Sequence, residues 1–152
     1  MNNLRGVVVG WLAAAVFGCL AVSGCGRAPA DVPTVPIHPM SGTVTVDGKP
    51  IAGAFVVLHA LQGATVGDVT PNGVTDENGK FELSTYAPKD GAPEGSYTAT
   101  VSWPERLPGG GSEPEYGRER LPVRYQNPSN SGLVVAVSAD LRDPVVLELK
   151  SK

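Results

Sequence analysis

SGTVTVDGKPIAGAFVVLHA, residues 41–60, contains the two strand patterns from which the fold of this chain can be predicted. Val44 and Val46 alternate with threonines, which is the period-2 pattern of a strand with one buried face. Asp47-Gly48 follows, and this pair favours a hairpin turn because both residues tolerate positive φ. Residues 54–60 predict a second strand with apolar side chains on both faces, as in a strand that is central or partly covered.

The following segments continue the same alternation of turns and strands. Asp76 and Gly79 predict a tight turn, since an Asp side chain can accept backbone hydrogen bonds and Gly adopts a left-handed conformation. Further strands are expected, with alternate apolar residues facing inward, at residues 80–84, 95–103, 133–137 and 145–149. No window after residue 40 has a sustained 3.6-residue apolar period, so we expect an all-β domain with little or no helix.

Two turn motifs resemble a known family. V-x-G-x-V-x-x-D-G-K-P-x-x-G-A, matched from Ser41 to Ala54, and T-D-x-x-G-x-F, matched from Thr75 to Phe81, resemble the carboxypeptidase regulatory-like family. The resemblance implies a transthyretin-like (prealbumin) Greek-key sandwich of about seven strands over residues 40–150. LPVRYQNPSNSGL, residues 121–133, resembles a segment that recurs in small bacterial lipoproteins. These motifs concern the fold and imply no activity.

The N-terminal segment predicts export and membrane attachment. Residues 6–24 carry no charge and end in Val22-Ser23-Gly24-Cys25, which resembles a bacterial lipobox. The resemblance implies that a signal-peptide helix in residues 1–24 is removed and that Cys25 receives a diacylglycerol. The alternatives are an uncleaved transmembrane anchor, because about 20 apolar residues span a bilayer, or plain secretion. We therefore expect a cell-envelope protein, lipid-anchored on the periplasmic or extracellular side of either membrane.

Residues 25–39 predict a Pro-rich spacer and residues 40–152 the β-sandwich domain. The spacer has no periodicity, and its His38 is expected to be solvated. Cys25 is the single cysteine of the cleaved chain, so no disulfide framework is expected. The formal net charge of -3 and the absence of a basic stripe give no reason to expect nucleic acid as a partner.

Residues 104–131 interrupt the strand pattern with prolines, charges and a triple glycine. We expect a long loop without strands, at the membrane-distal end of the domain together with the turns at Asp47 and Asp76. Aromatic rings beside hydrogen-bonding groups suit contacts with sugars or peptides. The candidate ligand surface consists of Trp103, Arg106, Tyr116, Arg118, Arg124 and Tyr125. The alternative is that Trp103 and Tyr125 only anchor the loop to the sandwich.

The titratable residues do not predict catalysis. His38 and His59 are the histidines of the chain, one in the spacer and one at a strand end, so a nucleophile with a histidine base is not expected. We expect no enzymatic activity, no cofactor and no metal site. Two hypotheses follow: a non-enzymatic envelope domain with a structural or protein-interaction role, or a carbohydrate-binding module on the same scaffold. Coplanar exposed aromatic rings in a groove would favour the carbohydrate.

Overall fold

The computed structural model describes residues 35–61, 69–108, 114–140 and 143–152, which belong to one compact unit. These residues form an all-β structure, as predicted, with a single 3-10 turn at Val123–Gln126 and no α-helix among them. The strands are β1 (Ile37–His38), β2 (Ser41–Val46), β3 (Lys49–Pro50), β4 (Phe55–Ala60), β5 (Asn72–Val74), β6 (Lys80–Glu82), β7 (Ala92–Pro93), β8 (Gly95–Ser102), β9 (Pro104–Leu107), β10 (Glu115–Glu119), β11 (Leu133–Val137) and β12 (Val145–Leu149).

The predicted signal peptide, Cys25 and the spacer up to residue 34 lie outside the described residues. Within the described part of the chain, no helix is long and apolar enough to cross a membrane.

Two four-stranded sheets form a sandwich-like arrangement. One has the order β11-β8-β4-β5 and is antiparallel throughout. In the other, β12 lies parallel to one edge of β2, while β3 and β6 both pair antiparallel with its opposite edge. A bridge between Asn72 and Ser84 joins β5 to the chain just after β6, so the two sheets approach each other on that side.

The core lies between the sheets and contains the side chains that the alternation predicted to face inward. Val56 and Leu58 of β4 are almost fully buried, while Phe55, Val57 and His59 on the other face are half-buried. The remaining predicted inward positions of the later strands are buried or half-buried as expected: Phe81, Leu83, Tyr97, Ala99, Val101, Leu133, Val135, Val137, Val145, Leu147 and Leu149. Burial of these apolar surfaces is the dominant favourable term in folding.

The turns form as their residues predicted. Asp47 and Gly48 have φ of 49° and 78°, which is the left-handed pair that a two-residue hairpin turn requires. Asp76 Oδ1 accepts the backbone N–H groups of Asn78 at 2.8 Å and Lys80 at 2.9 Å. The buried hydroxyl of Thr75 then joins this turn to the turn between β3 and β4. It donates to the carbonyl of Ile51 at 2.7 Å and accepts the N–H of Ala54 at 2.8 Å.

Three of the sequence-based expectations were wrong. Residues 104–131 were expected to contain no strand, but they form β9, β10 and the 3-10 turn. The spacer was expected to extend to residue 39, yet Ile37–His38 pairs with Ala92–Pro93. This pairing also takes His38 out of the solvated spacer and begins the folded structure before residue 40. These errors have the same cause: the strands concerned are short and carry prolines or polar residues, so they show no apolar alternation.

Candidate functional site: an aromatic groove beside the β9–β10 hairpin

The carboxylate of Glu119 attaches the β9–β10 hairpin to the sandwich. Its Oε2 accepts the hydroxyl of Ser102 at 2.6 Å, and its Oε1 accepts the backbone N–H of Trp103 at 2.8 Å. The same Oε1 accepts the N–H groups of Arg120 and Leu121, each at 3.0 Å. One half-buried side chain therefore joins the end of β8 to the end of β10, which fixes both ends of the hairpin.

The ionised form of Glu119 is the form that this arrangement favours. Partial burial raises the pKa of Glu119, but the hydrogen bonds from Ser102 and from the backbone N–H groups outweigh it and leave the pKa below its ordinary value. The carboxylate is thus charged at neutral pH and is fully engaged in holding the backbone. It is not free to bind a ligand.

A groove of about 330 Å³ runs between the hairpin and the outer face of the β11-β8-β4-β5 sheet. We call it the aromatic groove, and its lining consists of Ala52, Gly53, Phe55, Val74, Trp103, Pro104, Arg106, Tyr116 and Arg120. The rings of Phe55 and Tyr116 meet edge to face, with centroids 5.4 Å apart and planes at 78°. This is a preferred geometry for aromatic pairs and packs the hairpin against the sheet. Tyr116 nevertheless remains 45% exposed and Val74 52% exposed.

Trp103 and Arg120 form the other wall of the groove. The indole N–H of Trp103 donates to the carbonyl of Ala52 at 2.9 Å, so the ring is held against the turn between β3 and β4. The guanidinium carbon of Arg120 lies 4.9 Å from the centroid of that ring, within the range of a cation–π interaction. Arg120 also approaches Glu105 at 4.0 Å, the outer limit of an ion pair. Trp103 and Arg120 are therefore both positioned before any ligand arrives.

The charged groups that line the groove are all positive. Arg106 and Arg120 belong to the lining, and no carboxylate does, although the whole chain carries a net charge of -3. The acidic residues of the hairpin are either engaged, as Glu119 is, or lie outside the lining, as Glu105 and Glu115 do. The groove thus combines hydrogen-bond donors of guanidinium type with exposed aromatic and aliphatic surface.

The structure brings three of the six predicted ligand-surface residues into the aromatic groove: Trp103, Arg106 and Tyr116. Arg118 is exposed on β10 but lies outside the lining. Arg124 and Tyr125 belong to a separate contact near the C-terminus. Sequence reasoning missed Phe55 and Arg120. Phe55 could have been identified from its position on the second face of β4, because a large ring there has to be covered by another segment of the chain.

Tyr125 anchors the segment after β10 to the sandwich, as the packing alternative proposed. Its ring is only 6% exposed, and its hydroxyl oxygen accepts the backbone N–H of Lys150 at 2.9 Å and Arg124 Nη2 at 3.2 Å. Arg124 Nη2 also donates to the carbonyl of Lys152 at 2.8 Å. These side chains join the 3-10 turn to the end of the chain, and their polar groups are used in that contact.

A larger cleft, of about 690 Å³, lies along β2, β5 and β6. Its lining includes eight polar or charged side chains, and some of these are already paired within the protein. Lys89 forms an ion pair with Glu82 at 2.6 Å, and Asp76 holds its own turn. Phe81 contributes the single aromatic ring of the lining and is 2% exposed. This cleft therefore offers a ligand less exposed aromatic surface than the aromatic groove does.

The described residues contain no group of three His, Cys, Asp or Glu side chains that could hold a metal ion. His59 lies on the outer face of β4, where its Nε2 is 2.9 Å from the hydroxyl oxygen of Thr100. No carboxylate orients this imidazole among the hydrogen bonds of the described residues, so the pair lacks the third member of a catalytic triad. Comparison of the chain with known protein families, with curated proteins and with solved structures finds no match.

Proposed function

We propose that the chain is a non-enzymatic, lipid-anchored domain of the cell envelope that binds another protein through the aromatic groove. The proposal includes a transthyretin-like Greek-key fold of the carboxypeptidase regulatory-like family. Seven strands of three or more residues in the two main sheets support it: β2, β4, β5, β6, β8, β11 and β12. The turn residues that carry the resemblance support it too, since Asp47-Gly48, Asp76 and Gly79 adopt the conformations that the motif needs.

The aromatic groove is the observation that carries the functional part. Most polar side chains near it serve the fold: Glu119 holds the hairpin, Thr75 joins two turns, and Trp103 donates to the backbone. Arg106 and Tyr116 are exposed, and no ion-pair partner of Arg106 lies among the described residues. Arginine and tyrosine are enriched where protein partners bind, because each combines apolar area with hydrogen-bonding groups.

A protein partner fits the groove better than a neutral sugar does. Sugars stack on flat faces of exposed rings, but Phe55 and Tyr116 meet at 78° and Trp103 is covered by Arg120. Sugar hydroxyls also need acceptors as well as donors, and the side chains of the lining include no carboxylate and no amide. The carbohydrate-binding hypothesis is therefore the second candidate, and a screen of neutral and acidic glycans against the purified protein tests it directly.

Attachment to the membrane is tested by metabolic labelling with a palmitate analogue in a bacterial host. We expect label in the wild-type chain and none in a Cys25→Ala variant, because the thiol of Cys25 is the proposed acceptor. Two acyl chains or more give stable anchoring, so the wild-type protein should remain with the membrane fraction after a salt wash. Equal label in both proteins would exclude this anchor.

Binding through the groove is tested by photo-crosslinking in intact cells. p-Benzoylphenylalanine replaces Tyr116, where one aromatic ring substitutes for another, and a control protein carries it at Val123, which is 78% exposed but lies in the 3-10 turn. We expect discrete protein adducts from position 116 and not from position 123. Adducts of equal pattern from both positions, or none from position 116, would refute a protein-binding groove.

A further inference from the structure

We propose that the partner segment is an acidic, extended peptide that places a carboxylate against Arg106 and Arg120 and an apolar side chain against Tyr116 and Val74. This inference rests on the proposed function and deepens it, because it names the chemistry that the groove selects. The occupant is a segment of another protein that carries a Glu or Asp close in sequence to a Phe or Leu.

The choice of a carboxylate follows from charge complementarity. The lining contains two guanidinium groups and no acid, within a chain whose net charge is -3. Glu105 approaches Arg120 at 4.0 Å from outside the lining, whereas Arg106 has no ion-pair partner among the described residues, so an anion is attracted to this place chiefly by Arg106. A guanidinium presents a planar fork of donors that matches a carboxylate in two parallel hydrogen bonds. Stacking of Arg120 on Trp103 holds one of these forks in place, so less conformational freedom is lost on binding.

The choice of an apolar neighbour follows from the exposed carbon surface beside the arginines. Tyr116 and Val74 are about half exposed, and Phe55 lies half-buried between them as the floor. A ligand that used only the arginines would leave this surface in water, whereas a Phe or Leu side chain would remove it from water. The groove volume of about 330 Å³ is near the lower limit for small-ligand sites, so it accommodates one or two side chains and not a folded surface.

An acidic sugar shares the carboxylate but not the apolar side chain, so it forms a separate outcome of the test. Its several hydroxyl groups would find donors in Arg106 and Arg120, but the side chains of the lining offer them only the hydroxyl of Tyr116 as an acceptor. Hydroxyl donors buried without acceptors weaken binding. The acidic peptide can pair with the arginines and also cover the apolar surface of the groove, whereas the acidic sugar can only pair with the arginines.

The experiment measures binding of fluorescent heptapeptides to the full chain in detergent by anisotropy. The peptides carry one Phe and one Glu at varied spacing in a Ser background, and each has a matched peptide with Gln in place of Glu. We expect the Glu peptides to bind about threefold to tenfold more tightly than the Gln peptides, as charge-assisted hydrogen bonds exceed neutral ones. We also expect this preference to weaken as the salt concentration rises, because exposed charges are screened.

Variants of the protein separate the groove from the general charge of the hairpin. Arg106→Gln should remove most of the preference for Glu over Gln, while Arg118→Gln, on β10 but outside the lining, should preserve it. Oligogalacturonate serves as the acidic-sugar probe. Equal binding of Glu and Gln peptides, the same effect from both arginine variants, or tight binding of oligogalacturonate without peptide binding would overturn the inference.

The same chemistry is tested in cells by adding Arg106→Gln to the protein that carries p-benzoylphenylalanine at position 116. Loss of its adducts supports an acidic partner. If the adducts persist unchanged, the groove still binds a protein and the proposed acidic chemistry is wrong. If position 116 gives no adducts even with Arg106 intact, the proposed function itself fails.

Discussion

Replacement of Glu119 tests whether one carboxylate holds the wall of the groove in place. Glu119→Ala removes the acceptor for Ser102 and for three backbone N–H groups at 2.8–3.0 Å. Four charge-assisted hydrogen bonds in a fully buried site would contribute several kcal/mol to the free energy of unfolding. Glu119 is only half-buried, however, so water replaces part of these bonds in the variant. We therefore expect a loss of about 2–4 kcal/mol in the free energy of unfolding. Glu119→Gln keeps the shape and most of the geometry, and should lose about 1 kcal/mol.

The pH dependence distinguishes a charged acceptor from a merely well-packed side chain. The pKa of Glu119 lies below its ordinary value of 4.5 in the folded protein. The unfolded chain therefore binds the proton first, and the stabilisation by the carboxylate is present above pH 4.5 and disappears as the pH falls through the folded-state value. The assay is urea unfolding of the full chain in detergent, followed by tryptophan fluorescence. The difference between wild type and Glu119→Gln should shrink below pH 4.5. A constant difference, or a Glu119→Ala loss under about 0.5 kcal/mol, would refute the role assigned to this carboxylate.

Three further substitutions test the contacts that hold the rest of the site. Thr75→Val should destabilise the domain by about 1–3 kcal/mol in urea unfolding, since it leaves two buried backbone groups unpaired, and a smaller loss would contradict the role of this hydroxyl. Tyr125→Phe should cost about 1 kcal/mol and speed hydrogen exchange at the amide of Lys150, which loses its acceptor; unchanged exchange would argue against that contact. Gly42→Ala places a Cβ 2.5 Å from both the ring of Phe81 and the carbonyl oxygen of Val145, so we expect about 1–3 kcal/mol of overpacking, and a neutral result would contradict this close packing around β2.

The sandwich strands were predictable from sequence because burial on one face imposes a period of two. Val56, Leu58, Phe81 and Leu83 all face the core as the alternation indicated, and Asp47-Gly48 adopts the turn that its residue types favour. The turn depends on residues that are neighbours in the chain, and the inward-facing positions depend on the burial of one face of each strand. Local pattern is enough to identify them.

The aromatic groove was only half predictable because its members come from distant parts of the chain. Trp103, Arg106 and Tyr116 were identified as exposed candidates, but Phe55 lies about 50 residues earlier and joins them only through tertiary packing. The β9–β10 hairpin was not predicted because β10 is half-buried at Glu119 and exposed elsewhere, so its sequence shows no apolar period. What stabilises it is Glu119, and hydrogen bonds that a carboxylate accepts from backbone N–H groups leave no pattern in the sequence.

The most direct test of the groove is hydrogen exchange measured by mass spectrometry on the full chain in detergent, with and without the tightest Phe–Glu peptide. If the peptide lies in the groove, we expect slower exchange in residues 52–55, 103–107 and 116–120 and little change in β11 and β12. Protection that spreads over β2 and β6, or that leaves residues 103–107 unchanged, would contradict this location of the peptide.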